Sequence, residues 1–193
     1  MPRIIRSAAL ASSKSEQVSK AIIIVKLNTR GNTAIKSVID MVELDNFDKK
    51  LLQALQKNAD QSMNELGEKI GLSHTPCWRR IKRLEEAGII KSRVVIVDPG
   101  KVGLGVTVHA YIIIKSHDER SLNAFEQAVL NVSEIVECYS TSGEKDYVLR
   151  IVVKNVAHYE KLLKQTLVHL PNVASVNSTF ALKQVKYSTS LPL

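Results

Sequence analysis

Apolar positions change their period once along this chain, from the spacing of helices to the spacing of strands. Phe47, Leu51, Leu52 and Leu55 share one side of a helix predicted over 46–57. Asp45 is its expected N-cap, and Asp48, in the first turn, favours the positive helix end. After a polar break at 58–61, Ser62-Met63-Asn64-Glu65 has the form of a capping box. The helix it opens runs to Ile70, with Met63, Leu66 and Ile70 inward. Gly67 and Gly71, four apart, suit a close helix approach followed by a turn. Cys77, Ile81 and Leu84 then mark the apolar face of a third helix, with the Ser73 hydroxyl as cap, Pro76 in the first turn and Gly88 as the left-handed stop. Ile89, Ile90 and 92–97 read as a β extension in the position of a wing.

Beyond the turn at Asp98-Pro99-Gly100 the period alternates. Strands are predicted over 106–114, 135–141, 147–153 and 173–186, with a tight turn at 142–145. Leu122, Phe125 and Val129 mark a helix over 120–131. A second, capped by Asn155, turns Tyr159, Leu162, Leu163 and Leu167 inward. The order β-α-β-β-α-β is that of a ferredoxin-like split βαβ. The predicted fold class is therefore α+β: a winged helix-turn-helix at 41–97, a linker at 98–105 and a ferredoxin-like domain at 106–193. A sheet with helices on one face leaves the other to be covered, commonly by a partner subunit.

Charge sharpens the first half. The net +8 falls mostly in the first forty residues, which hold seven basic and two acidic side chains. Arg79, Arg80, Lys82 and Arg83 crowd the third helix, and no acid occurs from Lys69 to Leu84. Concentrated charge on a short helix suits a polyanion such as DNA, although a solvated basic face gives the same run. The preceding glycines and the following β extension favour DNA. No run approaches the roughly 20 apolar residues of a membrane span. Cys77 and Cys138 lie in apolar contexts without ligand spacing, which argues against a disulfide scaffold or zinc site and fits a cytoplasmic protein with reduced, buried thiols.

Residues 1–40 are acid-poor and contain several serines, as in an organelle transit segment or a basic arm. Residues 22–25 have the composition of a short strand. Met41 also has the look of a natural start, which makes the upstream piece a leader. The favoured expectation is an extension that is disordered or only locally ordered.

Residues from 42 onward resemble the leucine-responsive/AsnC (feast/famine) family of transcription regulators. The carriers are Leu44-Asp45 with Asp48 and Leu51-Leu52, then Gly71-Leu72-Ser73, and Cys77-Trp78-Arg79-Arg80-Ile81-Lys82-Arg83-Leu84-Glu85 with Gly88-Ile89-Ile90. In the second half they are Cys138-Tyr139, Gly143-Glu144, Asp146-Tyr147-Val148-Leu149, Gln184-Val185-Lys186-Tyr187 and Leu191-Pro192-Leu193.

The resemblance implies a DNA-binding domain joined to an amino-acid-sensing domain, with dimers formed through the sheets and octamers or other higher forms beyond. It also implies an effector site at the hairpin loop, here Ser142, Gly143, Glu144 and Asp146. A glycine there exposes backbone N–H groups to a carboxylate and an Asp can meet an ammonium, although a turn glycine and a loop-bracing carboxylate account for the same residues.

On the third helix, Ser73 is placed at DNA and His74, Thr75 and Trp78 toward base edges, although a lone Trp near a helix core is more often packing than readout. Arg79, Lys82 and Arg83 chiefly hold phosphates, or Arg79 reads guanine, and Arg80 pairs with Glu85 or Glu86. The expected partners are double-stranded DNA, a small amino acid and further copies of the chain, with no cofactor, no metal and no catalytic residues.

Three other readings stand beside this one. Siroheme decarboxylases share the two-domain plan, but the five histidines here show no ligand spacing and no nucleophile motif occurs. The others are an effector-independent protein that organises DNA and a non-DNA interaction module whose second domain is a stand-alone sensor, against which the 41–97 segment argues.

Overall fold

The computed structural model describes residues 43–193, so the expectations for 1–40 and for Met41 lie outside the described residues. Packing divides the chain into two units, one of residues up to Lys91 joined by Ser190–Leu193, the other Ser92–Thr189.

The first unit holds α1 (Asn46–Lys57), α2 (Met63–Ile70) and α3 (His74–Glu86). The reason each begins where it does is local. Asp45 accepts from the Asp48 N–H at 2.8 Å while Asp48 accepts from the Asp45 N–H at 3.1 Å, closing a reciprocal box at the head of α1. Ser62 and Glu65 repeat it at the head of α2. Gly71, at φ 78°, ends α2 in the left-handed region, and Gly88, at φ 69°, follows the end of α3. Leu51, Leu52, Leu66, Ile70, Cys77, Ile81 and Leu84 form the buried core. A methyl group built on Gly67 would overlap the Leu72 carbonyl oxygen, so the closeness of α2 to the following turn requires a residue without Cβ.

Two expectations are corrected here. Phe47 is exposed, while Asp48 takes the inward place beside Leu51. The carboxylate is tolerated because two arginines neutralise it. Ser73 has the extended backbone of an N-cap, but its hydroxyl makes no capping bond. The third helical residue is Pro76, which lacks the N–H that such a hydroxyl usually accepts from.

The second unit is a four-stranded antiparallel sheet of β1 (Val106–Ile114), β2 (Ile135–Ser140), β3 (Tyr147–Val153) and β4 (Val173–Phe180), in the order β2-β3-β1-β4. With α4 (Glu119–Leu130) and α5 (Val156–Gln165), the chain order is the ferredoxin-like one. Asp118 and Asn155 cap these helices through side-chain oxygens. Val108, Ala110, Ile112 and Ile114 of β1 and Tyr147, Leu149, Ile151 and Val153 of β3 form one core with Phe125, Val129, Tyr159 and Leu162. The alternation of period two that predicted the strands is the reason for this one-sided burial. On the opposite face His109, Tyr111, Val148 and Arg150 are only half-buried.

Residues 92–97 form no strand, contrary to the β extension expected there. Val94 to Val97 are all exposed, and β-branched composition without a neighbouring strand does not make a ladder. The last strand ends at Phe180 rather than 186, because its register with β1 runs out there, the final bond being from Ala181 N–H to the Thr107 carbonyl. Cys77 is buried as expected, but Cys138 is exposed, because β2 is the sheet's edge.

Candidate DNA interface and effector loop

Helical projection separates the faces of α3 cleanly. Cys77, Ile81 and Leu84 face the core. Thr75, Arg79 and Lys82 lie opposite and are exposed, with His74, Trp78 and Ser73 exposed around the leading turn. Trp78 is 47% exposed, so packing does not account for it. The Lys82 ammonium lies 5.3 Å from its ring centroid, and 3.8 Å from a Glu86 carboxylate oxygen. All seven residues expected at DNA therefore lie on the exposed surface of the helix or its entry, but not equally free.

Arg83 donates to the buried carboxylate of Asp48 at 2.5 Å, leaving the guanidinium half-exposed. Arg80 donates through the same Nη1 to Asp45 at 2.6 Å and Asp48 at 2.8 Å, and its guanidinium carbon stands 5.4 Å from the Phe47 ring centroid. The expected pairing of Arg80 with Glu85 or Glu86 is thus replaced by one with α1. Projection explains this: Arg80 flanks the core face, toward the helix that packs there. The Asp48 N–H and then Arg80 hold the Asp45 carboxyl below the usual range, and Asp45 and Asp48 raise the Arg80 pKa.

The signal that sequence reasoning missed is a matched spacing. Asp45 and Asp48 stand three apart, as do Arg80 and Arg83, so each pair shares a helix face.

In the second unit the hairpin loop joins β2 to β3. Ser142, Gly143 and Glu144 are exposed, and Gly143 has φ 148°, a backbone that a side chain would strain. Asp146 points the other way. Its carboxylate accepts from the Ile114 N–H at 2.8 Å and meets His117 Nε2 at 2.7 Å. The Ile114 bond and then the histidine lower its pKa. The Thr141 hydroxyl donates to the Lys145 carbonyl at 2.5 Å, closing the loop on itself. The structure thus brings Ser142, Gly143 and Glu144 to one exposed turn and places Asp146 as its brace. His117 was not foreseen, since nothing in its sequence neighbourhood marks it. Among the described residues, no group of three or more His, Cys, Asp or Glu side chains is placed to hold a metal.

A basic recognition helix on a three-helix unit, followed by a ferredoxin-like domain with an exposed glycine turn, defines a two-domain DNA-binding regulator. Comparison with known proteins gives the family. Residues 44–91 match the winged helix-turn-helix DNA-binding model and 107–191 the Lrp/AsnC ligand binding domain. The glutamate uptake regulatory protein of Zymomonas mobilis is 42% identical over 151 residues, 78% of this chain and 92% of that protein. The transcriptional activator DecR of Escherichia coli is 37% identical over 150 residues, 78% and 99%. Among solved structures, an AsnC family transcriptional regulator from Agrobacterium tumefaciens superposes with TM-score 0.73 at 42% identity, covering 77% of this chain and 97% of its own. A transcriptional regulator from Neisseria meningitidis, solved as its L-Met complex, gives 0.74 at 33%, covering 78% and 97%. The chain belongs to the Lrp/AsnC family of DNA-binding transcription regulators.

Proposed function

We propose that this regulator reads DNA with the leading turn of α3 and that a small amino acid, bound at the loop of Ser142, Gly143, Glu144 and Asp146, modulates its assembly. His74, Thr75 and Trp78 approach base edges and Ser73 meets DNA beside them, while Arg79, Lys82 and Arg83 grip phosphates. The observation that carries the DNA assignment is the exposure of Thr75, Trp78, Arg79 and Lys82 on the side of α3 away from Cys77, Ile81 and Leu84. Two copies pairing through the half-buried sheet face of His109, Tyr111, Val148 and Arg150 present two such helices. Half-sites about 34–36 Å apart, or a multiple, are then expected. Higher forms such as octamers add avidity.

The amino-acid assignment is supported by the L-Met complex of the Neisseria neighbour and by the glycine backbone of the loop. An effector that binds one assembly better shifts the population and with it the DNA geometry. The protein works in the cytoplasm and needs no cofactor beyond that effector. No helix among the described residues is long and apolar enough to cross a membrane.

A second reading is favoured by one observation: Asp146 already satisfies its carboxylate within the chain, as a brace needs no ligand. On that reading the protein is an effector-independent organiser of DNA. Selection of duplexes from random oligonucleotides, with and without a panel of amino acids, decides between them. The first reading expects paired half-sites and a response to at least one amino acid. No selected site at low salt overturns the DNA assignment, and selection indifferent to every amino acid, with no heat in calorimetry, leaves the organiser.

A further inference from the structure

The grip of α3 on phosphate depends on a residue outside that helix. We propose that Asp48, buried on the inner face of α1, is a positioning residue that aims the Arg83 guanidinium at the DNA backbone while withdrawing Arg80 from it. The inference rests on the DNA-binding reading of α3 and deepens it.

Three observations converge. Asp48 is 0% exposed, and its two carboxylate oxygens divide the arginines, Oδ1 accepting from Arg80 at 2.8 Å and Oδ2 from Arg83 at 2.5 Å. Arg80 is enclosed: the same Nη1 also meets Asp45 at 2.6 Å, the Phe47 ring lies beside its guanidinium, and its side chain is 26% exposed. Arg83 is different. Asp48 holds it through Nη2, and the side chain remains 48% exposed. A guanidinium has five donors in a rigid fork, so one edge can be fixed by a carboxylate while another faces a phosphate. The carboxylate is itself fixed, because Asp48 belongs to the α1 capping box and its Oδ2 accepts the Asp45 N–H.

The chemistry of the two arginines differs accordingly. An unrestrained arginine gives up side-chain freedom on meeting a phosphate, whereas one already held gives up less. Asp48 thus converts a flexible positive charge into an oriented donor. The negative charge placed near DNA is not free to repel it, since two guanidinium groups cover it.

The test uses the full chain and two duplexes, one recovered by selection and one of random sequence, titrated by fluorescence anisotropy across salt. Arg83→Ala is expected to lower the salt slope by about 0.9 and affinity about tenfold on both duplexes. Arg80→Ala should lower the melting temperature but keep the slope. Asp48→Asn should keep the slope, because Arg83 retains its charge, yet weaken binding about three- to tenfold. In the double variant Asp48→Asn/Arg83→Ala, binding should be no weaker than in Arg83→Ala alone, the signature of one residue acting through another.

An unchanged slope in Arg83→Ala, a slope lost in Arg80→Ala, or additive losses in the double variant would each overturn the proposal. Where Asp48→Asn does not fold, Arg83→Lys decides: it keeps the charge without the fork, so full affinity would overturn the proposal and a loss with unchanged slope supports it. A wild-type protein that binds neither duplex sinks the DNA-binding reading itself, an outcome distinct from all of these.

Discussion

His117 Nε2 stands 2.7 Å from Asp146 Oδ1, so one carboxylate of the proposed effector loop is occupied by a side chain of its own domain. The other oxygen accepts the Ile114 N–H, tying the start of β3 to the end of β1. An amino acid whose ammonium meets Asp146 must therefore compete with His117. His117→Ala, which removes the side chain that occupies Asp146, is expected to tighten binding of a responsive amino acid several-fold. Asp146→Ala should abolish the response and loosen the hairpin. Isothermal calorimetry, with L-methionine among the amino acids tried, measures both effects. Equal affinity of wild type and His117→Ala would show that Asp146 only braces the loop.

Gly67 is the residue on which the helix-turn-helix geometry is most sensitive to a single methyl group. Its absent Cβ leaves room for the Leu72 carbonyl, which backbone shifts alone could vacate. Gly67→Ala would ordinarily gain helix propensity. Here overpacking should reverse the sign, with a loss of about 1–3 kcal/mol in urea or thermal unfolding. Unchanged stability would mean that the turn yields easily.

Much of this architecture was legible because local signals agreed with one another. The N-cap at Asp45, the capping box at Ser62, the turn glycine Gly71, the left-handed Gly88 and the alternation of Val106 to Ile114 each depend on neighbours in sequence, and each appears in the fold. What escaped was long-range. Arg80 reaches Asp45 and Asp48 across more than thirty positions, so neighbourhood pointed to Glu85 and Glu86 instead. His117 and Asp146, 29 residues apart, meet only because β1 and β3 are adjacent. Residues 92–97 show the converse failure: strand composition was present, but a strand is defined by its partner.

The two serines that begin helices should behave differently. Ser62 both accepts the Glu65 N–H at 3.3 Å and receives the carboxylate in return, so Ser62→Ala is expected to cost about 1 kcal/mol. Ser73 makes no capping bond, because Pro76 offers none. Ser73→Ala should cost less than about 0.5 kcal/mol while weakening DNA binding, since Ser73 lies on the proposed DNA surface. Chemical denaturation and anisotropy on the same two variants separate the roles. A Ser73→Ala loss as large as that of Ser62→Ala would restore the capping assignment.

Asp118 gives the clearest pH dependence. It caps α4 by accepting the Ser121 N–H at 2.9 Å and also accepts the Ser116 hydroxyl at 2.7 Å. The bonds with Ser121 and Ser116 lower its pKa from 3.8 to about 2. The folded-state pKa is depressed, so the contribution to stability is fully present above the unfolded value near 3.8. It is lost as pH falls from there toward 2, because the unfolded chain takes up the proton first. Melting temperature should therefore fall through that window in the wild type. Asp118→Asn keeps a capping oxygen but does not titrate, so its melting curve should be lower near neutrality and fall less steeply between pH 4 and about 2. Asp45 and Glu65 are lowered in the same direction by their own capping bonds, so a residual slope is expected. Parallel curves for the two proteins would show that the Asp118 carboxylate is not what the acid side of stability depends on in α4.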